Sequence, residues 1–221
     1  MEKVILMEGF LHSLRFIGDG LGLSLQLLLG GLLIGLLLGT VFAILRYQGI
    51  GSGIIRFFVS ILRGTPLILQ LSFFYFSIPM FLGFKISILM AGIITFGLNS
   101  SAYVSEILRS GIENLPKGQF EAAKTLHIPR FFMWRDIILP QVLRNILPAM
   151  ANETITLLKE TALISTLGGM DMMRRAQAVA AEQFTYFMPL CIAGFYYYLL
   201  VLAIEYAGAQ LEKKVAYAPH H

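Results

Sequence analysis

Residues 20–45 contain no charged side chain. A run of about 25 such residues is long enough for a helix to cross roughly 30 Å of hydrocarbon. Backbone polar groups find no water there, so a lone apolar segment of this kind has to be helical. Further apolar segments at 57–82, 86–108, 140–158 and 187–209 are separated by polar intervals. The chain therefore reads as an all-α membrane protein with five transmembrane helices. Only 14% of the 221 residues are charged, against about 25% in ordinary soluble domains.

Length leaves room for one membrane domain, at 20–210, flanked by an N-terminal segment (1–19) and a tail (211–221). In the N-terminal segment Ile5, Leu6, Phe10, Leu11, Leu14 and Ile17 recur at helical spacing with polar residues between them, the pattern of an amphipathic helix at a membrane surface. The apolar stretch at 4–7 is too short for the core of a signal peptide. The single Cys191 lies among apolar residues and is expected to be a buried, inert thiol. His220 and His221 are too few for a metal site. The net charge of +4 is scattered between the spans, which suits the positive-inside rule and gives no basic face for nucleic acid.

Several spans carry features that a lipid-facing helix would lack. In the first, Gly31, Gly35 and Gly39 fall four apart, which permits close helix approach, within the subunit in preference to a dedicated dimer contact. In the second, Arg63-Gly64-Thr65-Pro66 interrupts the helix near its start and frees backbone groups. Gln70 follows, either lining a path or bonding between helices. The second half of the third span holds Asn99, Ser100, Ser101, Tyr103, Ser105 and Glu106, a polarity that places it against the bundle interior or the cytosolic mouth. Glu106 and Arg109 have the spacing of a helical ion pair, or form a solvated helix end. Asn152 and Glu153 sit about a dozen residues, roughly 18 Å, into the fourth span. An intramembrane carboxylate is a functional candidate; its alternative role is as a structural partner of Arg63 or Arg144. Residues 170–183 form a weakly amphipathic segment, partly exposed or gate-forming and not a span.

The longest polar interval is residues 113–140, with seven charged residues between nearly uncharged flanks. Residues 119–126 are rich in helix formers, and Phe120, Ala123 and Leu126 are spaced to share one face. Pro129 stops this helix, and a second short helix is expected over 130–138. Glu121-Ala122-Ala123, with Ile137, Leu139 and Pro140 at the required distance, resembles the EAA loop of ABC-importer permeases. The pattern's glycine, which supplies a left-handed helix cap, is replaced here by His127; histidine is among the non-glycine residues enriched in that conformation.

Arg63-Gly64-Thr65-Pro66, the run 117–123, Ile138-Leu139-Pro140-Gln141 and the stretch from Leu158-Lys159-Glu160-Thr161 to Ser165 follow in the order of the polar amino acid (HisMQ-like) branch of this family. The resemblance spans about residues 21–212. It implies the type I ABC importer permease (MetI-like) fold, with 20–210 as the type-1 transmembrane domain and 113–140 as the loop docking on a cytosolic ATPase. By resemblance, Gly118, Glu121, Ala122, Ala123 and His127 are the coupling residues. Gln70, Ser100, Asn152 and Glu153 are the candidate substrate-pathway residues. The implied partners are ABC ATPase subunits, a second permease subunit (identical or paralogous) and a periplasmic or lipid-anchored amino acid binding protein. The sequence has no Walker A motif, so ATP is expected to be used by the partner, with no cofactor bound by this chain and no enzymatic activity. Arginines and lysines concentrate on the side of the EAA loop, which with five spans puts the N-terminus outside and the C-terminus in the cytosol. Two other readings stay open at this point: a permease for methionine or another nutrient, and a channel or scaffold subunit that gates without ATP.

Overall fold

The computed structural model describes the backbone of residues 2–216 and the side chains of residues 8–214. His220 and His221 lie outside the described residues, as do the side chains of Lys3, Ile5 and Leu6. Every regular element among the described residues is helical. The elements are α1 (Glu2–Gly18), α2 (Leu21–Tyr47), α3 (Ser52–Gly64), α4 (Leu67–Ser72), α5 (Ile78–Leu82), α6 (Ile88–Glu113), α7 (Lys117–Thr125), α8 (Arg130–Phe132), α9 (Leu139–Glu160), α10 (Met172–Gln183) and α11 (Phe187–Ala216).

The α2–α6 pair is the most extensive in the chain. Its seam is the glycine row: Gly31, Gly35 and Gly39 are all buried. A Cβ on Gly35 would stand 2.8 Å from the Ser100 side chain, and one on Gly39 2.7 Å from that of Val104. The glycines thus serve contact inside the subunit, as expected. Leu27, Leu28, Phe96, Leu157, Leu158 and Ile164 then close a core between α2, α6, α9 and the 3-10 turn Thr161–Leu167 that follows it.

The second apolar segment is not one helix. It consists of α3 and the 67–82 arm, with axes 103° apart, and α3 begins at Ser52, before the expected start at 57. Thr65 is extended (φ −116°, ψ 146°), the conformation a following proline imposes. Two further prolines act more gently. A π-helical turn, Phe73–Ser77, precedes Pro79, and another, Met133–Ile138, precedes Pro140. Proline lacks an N–H and its ring crowds the carbonyl four residues back, and a widened turn accommodates both effects without breaking the helix. The short helix expected at 130–138 is therefore present but does not end at Pro140. Helical structure continues from α8 through the wide turn into α9.

Three helical stretches are long and apolar enough to cross a membrane, at Glu8–Tyr47, Ile88–Glu113 and Phe187–Lys214, and the bent pair makes a fourth. α9, with 22 residues and about 33 Å at helical rise, has the length of the expected fifth span but is more polar than the other four. In α1 the buried face is Ser13 and Ile17, while Phe10 and Leu11 are exposed. α10 buries one face, Met172, Ala176, Val179 and Ala180, against α1 and α11. Its N-terminus is capped by Asp171, which accepts from the Arg174 N–H at 2.8 Å. Cys191 is exposed, contrary to expectation. α11 is apolar all round but buries only a narrow seam, and position 191 falls outside it.

A Gly35→Leu substitution drives new atoms into Ser100. Its expected cost is about 1–3 kcal/mol of overpacking, read as a lower melting temperature in detergent. Gly22→Ala, which meets nothing within 4 Å, serves as the control, and an unchanged melt for Gly35→Leu would refute the seam.

Candidate functional site

The loop between α6 and α9 is a compact unit. Ala123 is buried with Leu115, Met133, Ile138, Val142 and Ile146, and Phe120 stands edge-on to Trp134 at 6.3 Å. α7 is thereby fastened to the start of α9. Leu126, expected on the same inward face, is 71% exposed, because α7 ends at Thr125 and helical spacing no longer applies. His127 has φ +52°, so histidine does occupy the left-handed position of the pattern's glycine. Gly118, Glu121 and Ala122 are exposed and lie at i, i+3 and i+4, on one outward face. Of the coupling candidates, Gly118, Glu121, Ala122 and His127 reach the surface and Ala123 anchors the helix from beneath. Nearby, a hydrogen bond from Arg135 holds the exposed Asp136 carboxyl below its ordinary range.

The helix break is held by amides. Pro66 has no N–H to offer the carbonyl of Leu62, four residues back. Gln70 Nε2 donates to that carbonyl at 2.8 Å and to Thr65 Oγ1 at 2.9 Å. Asn99 Nδ2 donates to the same Leu62 carbonyl at 3.0 Å and to Gln70 Oε1 at 3.3 Å. Thr65 Oγ1 in turn donates to the Ile61 carbonyl at 2.8 Å. Gln70 is 8% exposed, with both ends of its amide committed within the subunit.

Next to Asn99 of this clamp, Ser100 Oγ of α6 donates to Glu153 Oε1 of α9 at 2.7 Å. Ser100 is fully buried and Glu153 partly so. Gly35 presses on Ser100 from behind, so the α2–α6 seam fixes the hydroxyl that meets the carboxylate. No direct ion pair joins Glu153 to Arg63 among the described residues; Arg63 instead lies 3.9 Å from Glu106 and over the Tyr103 ring. Asn152 is exposed on the adjacent face of α9 and does not join the Ser100–Glu153 pair.

The expected Glu106–Arg109 pair is present at 2.8 Å, but it belongs to a larger group that sequence spacing did not reveal. Glu106 also accepts from Arg46 of α2, and Arg109 reaches on to Glu113. Sixty residues separate Arg46 from Glu106, beyond any local periodicity. A second unforeseen cluster lies at the other end. Asp171 is fully buried and accepts from Tyr197 Oη at 3.1 Å. Burial pushes its carboxyl above the ordinary range, opposed by the Arg174 N–H.

A family model described as "Binding-protein-dependent transport system inner membrane component" matches residues 31–217. The chain belongs to that family. It is therefore a multi-pass membrane component of an importer, and permeases of this kind work with an ATPase and a substrate-binding protein. Among curated relatives it is 46% identical over 210 residues to the putative glutamine transport system permease protein GlnP of Rickettsia typhi, covering 93% of this chain and 95% of that one. It is 44% identical over 205 residues to the arginine transport system permease protein ArtQ of Bacillus subtilis, covering 92% and 94%. Among solved structures it resembles an amino acid ABC transporter crystallised with histidines, with a TM-score of 0.83, 34% identity and coverage of 90% and 94%. Inward-facing MetNI methionine transporter structures match at a TM-score of 0.70 and 19% identity, covering 91% and 94%, which confirms the type I importer permease fold.

Gln70→Leu leaves the Leu62 carbonyl and Asn99 short of partners, at an expected cost of about 1–3 kcal/mol. Thermal melting of the purified variant checks it; a melt equal to wild type would show that the break needs no clamp.

Proposed function

We propose that this chain is the permease subunit of an ABC importer for a polar amino acid, of the glutamine, arginine or histidine class. The single observation that carries the coupling half of this reading is α7. It offers an exposed face, Gly118–Glu121–Ala122, on a short helix packed onto the start of α9. A cytosolic ATPase docks on that face, with His127 setting the turn behind it. The names of the glutamine and arginine relatives, and of the amino acid transporter structure, support the substrate class.

The mechanism follows from continuity. α9 carries Glu153 about 20 Å from the loop at helical rise. When ATP closes the partner ATPase subunits, the two α7 elements of a permease pair are carried together. Each α9 moves with its own α7 and changes the surroundings of Glu153. ATP acts by favouring one of two arrangements through contacts that differ between them. Glu153, held by Ser100, receives a substrate ammonium group, with Asn152 alongside it and Gln70 keeping the neighbouring helix break in shape. A carboxylate in low dielectric attracts a cation strongly, and every amino acid carries one. The chain itself performs no catalysis and binds no cofactor. The excess of arginine and lysine on the α7 side supports an outside N-terminus and a cytosolic C-terminus.

Glu121→Lys is expected to abolish co-purification of the cognate ATPase while leaving the permease folded; equal recovery with wild type would reject α7 as the docking helix. In vesicles containing the full transporter, Glu153→Gln is expected to lower uptake at least tenfold, about 1.4 kcal/mol or more of lost stabilisation, with ATPase recovery intact. Unchanged uptake and affinity would remove Glu153 from the pathway.

A further inference from the structure

At the α7 end of the molecule, a cavity of about 430 Å³ opens between three helices. Its walls include Arg46 and Tyr47 of α2, Ser52 and Arg56 of α3, and Arg109 and Glu113 of α6. The charged groups lining it are Arg46, Arg56, Arg109 and Glu113, an excess of two positive charges, of which Glu106, paired with Arg46 and Arg109 from behind, offsets one. Arg56 pairs with no carboxylate among the described residues; its only hydrogen bond is a long one, 3.4 Å, to the Ser52 carbonyl of its own helix.

An independent feature adds to this charge. The N-terminus of α3 meets the cavity at Ser52. Its cap is Gly51, at φ +58°, with no side-chain cap and no acidic residue in the first turn. The first-turn N–H groups and the positive end of the helix dipole are therefore available to an anion. A second cavity, about 510 Å³ and mostly apolar, shares Ala43, Tyr47 and Ile112 with the first and is bounded by Leu108, Trp134 and Leu139. Tyr47 and Trp134 meet edge-on at 5.0 Å between them, the kind of aromatic pair found at membrane–water boundaries.

A basic cavity beside an apolar one, at the ends of membrane-crossing helices, matches the two halves of an anionic amphiphile. We propose that this is a binding site for an anionic phospholipid of the cytosolic leaflet. The headgroup phosphate sits against Arg56, Arg109 and the α3 N-terminus, and an acyl chain lies along the apolar cavity. Basic pockets between transmembrane helices on the cytosolic side take such headgroups in general. A free phosphate would satisfy the basic cavity but has no use for the apolar one. The leaflet rests on the orientation proposed above; lipid retention itself depends on neither the ATPase nor Glu121, so the two readings fail separately.

The test is native mass spectrometry of the detergent-purified chain with phosphatidylglycerol, phosphatidylcholine or inorganic phosphate. The wild type is expected to keep phosphatidylglycerol under activation that strips phosphatidylcholine. Arg56→Gln is expected to lower that retention about fivefold, the effect of one basic side chain near an anionic surface, with an unchanged melting temperature. Gly51→Asp puts a carboxylate at the helix N-terminus, where it meets no neighbouring atom and where aspartate tolerates the backbone; it is expected to lower retention without unfolding the chain. Lys85→Gln, at the opposite end, is expected to behave as wild type. Equal retention of the two lipids overturns the proposal, as does full retention by both Arg56→Gln and Gly51→Asp. Protection by inorganic phosphate equal to that by phosphatidylglycerol assigns the cavity to a free anion and also overturns it. Loss of ATPase recovery in Arg56→Gln with lipid retention intact makes it a protein contact, with the same result.

Discussion

The architecture depends on the close approach of α2 and α6. Three glycines four residues apart remove the side chains that would hold the two backbones apart, and the opposing residues are Phe96, Ser100 and Val104. In lipid there is little hydrophobic gain from pressing one helix on another, so association rests on packing and interhelical polar contacts. The seam provides the first and positions the second. It delivers Ser100 to Glu153 on α9, and it brings Arg46 at the end of α2 to Glu106 on α6. α3, α9 and the α3–α4 break are then arranged around that pair.

A second constraint is the demand that backbone carbonyls inside the bundle find donors. The three interior prolines outside α9's middle meet it in different ways. Before Pro79 and Pro140 the helix widens and continues. Before Pro66 it breaks, and side chains replace the missing N–H: Gln70 and Asn99 converge on the Leu62 carbonyl. The difference is one of local conformation. Thr65 is extended, so no widened turn can carry the ladder across, whereas residues 73–77 and 133–138 stay helical. A polar residue in a span here is thus a structural substitute for backbone as readily as a contact for cargo.

The loop proposed above as the ATPase contact shows how a short helix is held in place. α7 has nine residues, too few to be stable by itself. It is held by one buried residue, Ala123, among Met133, Ile138 and Val142, and by Phe120 against Trp134. The turn behind it uses a histidine with positive φ in place of glycine, a strained choice that tight packing on either side sustains. Because the wide turn at Met133–Ile138 joins α8 to α9 without a break, Trp134, against which Phe120 of α7 packs, and Glu153 lie on one continuous helical stretch.

Much of this was legible in the residues themselves. Charge-free runs of membrane length required helices, the four-residue glycine spacing marked a packing seam, and Glu121-Ala122-Ala123 with Pro140 located the loop and even its left-handed turn at His127. These are local properties, set by hydropathy, spacing and backbone preference. Local pattern could not decide which way a polar group turns once helices meet. Gln70 was equally fit to line a path or to bond a helix, and only the position of Leu62 beside Asn99 committed it. Leu126 had the spacing of an inward residue, but the helix stops one residue short of it. The Arg46–Glu106 and Asp171–Tyr197 contacts join positions far apart in the chain, for which no periodicity exists. The sequence by itself determined which segments are helical, though not every boundary. The tertiary structure decided which buried donors and acceptors meet, because in a low-dielectric interior a polar group must take whatever partner the packing brings within about 3 Å.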